Sequence, residues 1–87
     1  MPVIKKIYAD GTEEDCREKM SLEEMQEFVG GYIEEVATNI NARHFLVVNE
    51  DGNMLNLPAN PNATRLVKAG TLMVLEGIKG NALLIKR

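Results

Sequence analysis

A chain of 87 residues, 45% hydrophobic and 26% charged, is long enough for one small core; a second domain and a disordered chain are both excluded. Cys16 is the only cysteine, which excludes an intrachain disulfide, and no stretch reaches the roughly 18 apolar residues of a membrane span. The N-terminal residues lack the apolar run of a signal peptide, so a cytoplasmic protein that does not engage membranes is expected.

The net charge of −3 is unevenly spread. Residues 1–42 hold ten acids against four bases, and residues 43–87 hold three acids against six bases. The bases are scattered rather than clustered, which argues against direct nucleic-acid binding. A solvated acidic face is the expectation for the N-terminal half.

Val3 to Tyr8 reads as a strand. Asp10-Gly11 follows as a hairpin signal, because both central positions of a type I′ turn require positive φ. The polar return, Thr12 to Lys19, fits an edge strand whose charges oppose edge-to-edge association. Ser21 and Glu24 then form a capping box, with Leu22, Met25, Phe28 and Val29 on one helical face. Gly30-Gly31 stops this helix, since glycine takes the left-handed conformation without steric cost. Tyr32 to Val36 is expected to leave that cap as a strand.

Phe45–Val48 and Met54–Leu57 flank Asp51-Gly52, which predicts a second hairpin with Leu46 opposite Leu57 and Val48 opposite Leu55. Its other face, mixing Phe45, Val47 and Met54 with Asn49 and Asn56, suits a central hairpin or one that meets a partner. Asn60 as cap, Pro61 in the first turn and Gly70 as stop predict a second helix with Ala63, Leu66 and Val67 buried. Leu72–Leu75 and Ala82–Ile85 read as two further strands. The predicted fold is α+β: a single small domain over residues 1–87, with a mostly antiparallel sheet of about five or six strands and two short helices.

Chemistry-bearing residues are sparse. His44 and Cys16 share no local pattern, and the acids around Cys16 raise a thiol pKa rather than activate it. Glu34 and Glu35 are neighbours in a strand and point to opposite faces. Asn49 to Asn53 lacks the acids of a calcium loop, and no zinc-ligand spacing, phosphate loop or dinucleotide fingerprint is present. No cofactor, metal or catalytic residue is therefore expected. Among the eight asparagines, Asn56, Asn60 and Asn62 flank a helix start whose free N–H groups attract anions, with Thr64 and Arg65 in the first turn. Together with Tyr32, these residues form the predicted ligand site: Tyr32, Asn56, Asn60, Asn62 and Arg65.

Three strings stand together over Leu22 to Ala82: Val29-Gly30-Gly31-Tyr32-Ile33-Glu34-x-Val36, Val48-Asn49-Glu50-x-Gly52 and Leu57-Pro58-x-Asn60-x-x-Ala63-Thr64. They resemble the domain-of-unknown-function family 3846, small proteins of phages, mobile elements and their bacterial hosts. The resemblance implies a bacterial or phage cytosolic setting and no established activity. The expected function is a non-enzymatic binding module, an accessory protein engaging a host protein or a small phosphate-bearing ligand. The alternative is an acidic DNA mimic or regulator that acts through protein contacts. A homodimer through a sheet face or edge is expected, because so small a core gains from association.

Overall fold

The computed structural model describes residues 2–71 and 76–87. The strand expected at Leu72–Leu75 lies outside the described residues. Five strands form one antiparallel sheet: β1 (Pro2–Ile7), β2 (Glu13–Lys19), β3 (Ile33–Ala37), β4 (His44–Asn49) and β5 (Ala82–Lys86), in the order β2-β1-β5-β4-β3. Among the described residues two helices accompany it, α1 (Leu22–Val29) and the single turn α2 (Pro61–Thr64). The α+β expectation holds for this compact domain, with five strands among the described residues.

The N-terminal hairpin forms at the expected place but not through the expected type I′ turn. Of the Asp10-Gly11 pair only Gly11 has positive φ. The Tyr8 N–H donates to the Thr12 carbonyl while the Gly11 N–H donates to the Tyr8 carbonyl, closing a three-residue loop. Gly11 has φ 97°, and the Asp10 carboxylate accepts from the Thr12 N–H and hydroxyl (2.9 and 2.6 Å). These two bonds hold the Asp10 carboxyl below its ordinary pKa. Among the described residues β2 pairs only with β1, and its acids face the lysines of that strand. Lys5 Nζ lies 3.2 Å from Glu13 and 3.6 Å from Asp15; Lys6 Nζ lies 3.2 Å from Glu18. Part of the acidity of the N-terminal half is thus balanced across the strand pair.

The capping box of α1 is complete: Ser21 Oγ accepts from the Glu24 N–H, and the Glu24 carboxylate accepts from the Ser21 N–H. Gly30 ends the helix at φ 86°, and the Gly30 and Gly31 N–H groups both donate to the Gln26 carbonyl. The helix lies on one face of the sheet over Val3, Phe45, Val47, Leu83 and Ile85, with Val29 buried and Met25 and Phe28 packed beside it. Phe28 also meets Tyr8 edge to face, with ring centroids 5.4 Å apart. Ala63, Val67 and Ile78 cover the opposite face, packing on Ile7, Val36, Leu46, Val48, Ala82 and Leu84. β4 is therefore buried on both sides, and the Phe45 and Val47 face, expected to be central or to meet a partner, lies under the chain's own helix.

Two further expectations fail, each for a tertiary reason. The second hairpin does not form: Met54, Leu55 and Asn56 lie in a turn and Leu57 in no strand, with Met54 86% and Leu55 55% exposed. Both edges of β4 are already occupied, by β3 (Val36 opposite Leu46) and by β5 (Leu84 opposite Leu46), so no edge remains for a return strand. Asn49 Oδ1 accepts from the Asp51 N–H, and the Leu55 and Leu57 N–H groups donate to Asp51 and Gly52, curling the chain instead. Asn56 completes the curl at φ 55°, and Gly52 lies so close to the Lys79 carbonyl that a Cβ would sit 2.9 Å from it.

The second helix stops at Thr64, well short of Gly70. Beyond it, Val67 forms a bridge with Thr38, while the Lys68 N–H donates to Ala37 and the Asn39 N–H to Leu66. Backbone pairing with the end of β3 replaces the helical bonds. Ala63 and Val67 are nonetheless buried, as their apolar character requires.

Candidate functional site

The five predicted site residues fall into different settings. Asn60 is wholly buried, and its amide is committed to the fold: Nδ2 donates to the Ile7 and Gly80 carbonyls (3.0 and 2.9 Å), and Oδ1 accepts from the Ala63 N–H (3.1 Å). Thr64 extends this junction, its hydroxyl donating to the Asn60 carbonyl and accepting from the Ile78 N–H. Asn62 and Arg65 are brought together on the surface, the guanidinium donating to Asn62 Oδ1 at 2.8 Å, while Asn62 Nδ2 donates to the Gly11 carbonyl. Tyr32 is 70% exposed and its carbonyl accepts from the Glu50 N–H; Asn56 belongs to the curl after β4. None of the five lines the clefts of about 700 and 470 Å³.

A cleft of about 700 Å³ lies beside the paired ends of β3 and β4. That is the size range of small-molecule sites. Its apolar floor comes from Val36, Ala37 and Phe45, where Ala37 pairs with Phe45 across the two strands. Its polar rim carries Asn39, Asn41, His44, Lys68 and Arg87, with Glu35 as the single acid.

Local backbone chemistry shapes that rim. The Asn41 Oδ1 accepts from the Arg43 N–H at 2.9 Å and lies 2.8 Å from His44 Nδ1. An amide oxygen only accepts, so Nδ1 carries a proton in this arrangement, and Nε2 is the other face of the ring. The Thr38 hydroxyl donates to the His44 carbonyl and accepts from the Ile40 N–H, folding the β3–β4 connection. Asn39 Nδ2 donates to the Arg65 carbonyl at 2.7 Å, tying that connection to the segment that brings in Lys68. Arg87 follows β5, its N–H donating to the Arg43 carbonyl. Its guanidinium carbon stands 4.3 Å from the Phe45 ring centroid, and Nη2 lies 2.6 Å from Glu35 Oε1.

A second cavity, of about 470 Å³, shares Glu35, Val36 and Ala37 with the first and is lined by Glu34, Glu50 and Glu76 as well. Among the described residues no three His, Cys, Asp or Glu side chains gather as a metal-ligand set. Cys16 lies on β2, away from the cleft; burial first, and the nearby Glu18 charge second, push its thiol pKa up, opposite to the direction a nucleophile needs. His44 Nδ1 meets an amide oxygen rather than a carboxylate, so no charged group orients the ring from that side.

Lys68, Arg87, Asn39 and Asn41 escaped the sequence reading because only the fold gathers them. The base excess of residues 43–87 was the one signal that pointed their way. The strings of the family likeness touch the cleft only through Val36 and otherwise mark other parts of the molecule. Asn49 Nδ2 donates to the Val29 carbonyl at 3.1 Å, and a Cβ on Gly31 would stand 3.0 Å from the same Nδ2. The Val-Gly-Gly and Val-Asn-Glu pieces thus meet at one helix end, and the Asn-x-x-Ala-Thr piece is the buried Asn60 junction. No curated protein and no solved structure matches the chain. A family model does match, over residues 4–87, and the chain belongs to that family: the domain of unknown function DUF3846.

Proposed function

We propose that this protein is a non-enzymatic binding module that takes a small phosphate-bearing ligand in the cleft between the β3–β4 ends and Arg87. The observation that carries the reading is the composition of that cleft. Lys68 and Arg87 outnumber Glu35, asparagine and histidine polar groups surround them, and Phe45 and Ala37 supply an apolar floor. A guanidinium presents donors in a planar fork that matches phosphate oxygens, and an ammonium adds a mobile point charge. The same cleft holds no paired nucleophile and base, which is why binding rather than turnover is proposed. A role as a cytoplasmic phage or mobile-element accessory protein fits the family likeness.

The test is a thermal-shift screen with nucleotides, sugar phosphates and inorganic phosphate, repeated on Arg87→Gln and Lys68→Ala. A stabilisation seen with wild type and lost in both variants is the expected result. No shift with any phosphate compound would remove the reading.

The exposed acids of α1, Glu23, Glu24 and Glu27, favour the second reading, a module that engages a basic host protein. The pairing of β2 acids with Lys5 and Lys6 weakens it, because fewer carboxylates are left as a continuous negative surface. Host-lysate pull-down across a salt series separates the two, since a charge-driven complex releases steeply with ionic strength. The proposed homodimer is read by light scattering on the eluting protein. A dimer insensitive to salt would favour an apolar contact over the charged β2 edge.

A further inference from the structure

We infer that Glu35 is the resting counter-ion of Arg87 and that an anionic ligand takes its place, so that the cleft carries its own competitor. The inference rests on the binding reading above and adds how that site is regulated.

Its geometry is a chain of three strands. Glu35 stands on β3, Phe45 on the adjoining β4, and Arg87 just beyond β5, on the far side of β4. Arg87 therefore reaches across the Phe45 ring to meet Glu35, 4.3 Å above the ring centroid and 2.6 Å from the carboxylate. The aromatic face holds the guanidinium by cation–π attraction without consuming its N–H groups. Glu35 engages one of the two terminal nitrogens, Nη2. A guanidinium has five N–H donors, and the contact with Glu35 is a single oxygen to a single nitrogen rather than a paired fork.

Both side chains are about half exposed, at 52% for Arg87 and 50% for Glu35. An ion pair in that setting is weak, so an incoming dianion can displace it at little cost. Lys68, which also lines the cleft, adds attraction for the ligand that Glu35 opposes. An arginine held in place by a ring, while its charge is shared with a replaceable carboxylate, is preorganised for anion exchange. A purely structural strap over Phe45 would have the same contacts in the resting state. The two differ in what happens when the carboxylate is neutralised.

The experiment is an NMR titration of wild type, Glu35→Gln and Arg87→Gln with inorganic phosphate at constant ionic strength, following the amides of Asn41, His44, Lys68 and Arg87. Circular dichroism confirms that each variant is folded. Removing the competing charge is expected to tighten phosphate binding about two- to fivefold in Glu35→Gln, the range set by an exposed ion pair. Arg87→Gln is expected to abolish the shifts. Equal or weaker binding by Glu35→Gln, with wild-type binding intact, overturns the counter-ion role and leaves the cleft reading standing. No phosphate-dependent shift at these residues in wild type or Glu35→Gln overturns both.

Discussion

The Asn60 junction and the Arg87 cleft draw on similar polar groups, yet one is closed on itself and the other is open. At the junction a wholly buried amide satisfies three backbone groups from three separate segments, at Ile7, Ala63 and Gly80. In the cleft, exposed Asn39 and Asn41 shape a connection while Arg87 and Glu35 meet in a half-exposed pair. Burial decides the difference. An unsatisfied polar group costs far more inside than at the surface, so the interior spends its asparagines on backbone partners. The strings of the family likeness sit mostly at the closed sites, around Asn49 and Asn60, and reach the cleft only at Val36. They report how the domain is held together, and the ligand proposal rests on the open cleft instead.

The contrast predicts a ranking of stability effects. Asn60→Ala strands two carbonyls and one N–H in the core, and a loss of about 3–5 kcal/mol is expected in urea unfolding. A loss under about 1 kcal/mol would show that water or a shifted chain serves those groups, and the junction would no longer count as closed. Asn49→Ala removes the donor to Val29 and the acceptor for Asp51, with an expected loss of about 1–3 kcal/mol. Hydrogen exchange should locate that loss at the end of α1 and in the turn after β4. Protection lost uniformly would mean that Asn49 acts on the whole core. Arg87→Gln, which breaks the half-exposed pair, should cost under about 1 kcal/mol. A cost equal to that of Asn60→Ala would mark Arg87 as part of the scaffold and blur the comparison.

Elements defined by contiguous residues were legible in the sequence. The Asp10-Gly11 hairpin and the Ser21–Glu24 capping box with its Gly30 stop each complete their hydrogen bonds within a few residues. Asp51-Gly52 carried the same local signal as Asp10-Gly11 and produced a turn without a hairpin. Its outcome depended on β5, which joins β4 from more than thirty residues away in the chain and takes the edge a return strand would need. α2 stopped early for a related reason, because Val67 and Lys68 found β-type partners at Thr38 and Ala37. Asn60 was correctly read as a cap through its bond to Ala63, but its bonds to Ile7 and Gly80 were invisible locally.

The sequence by itself therefore determined the fold class, the first hairpin, the first helix and the apolar positions of the core. These follow from turn φ values, capping geometry and hydrophobic pattern, which act over a few residues. Only the tertiary structure decided the strand order, the end of α2 and the assembly of Glu35, Phe45, Lys68 and Arg87 around one cleft. Edge occupancy and surface charge clustering depend on which distant segments become neighbours, and no local spacing encodes that choice.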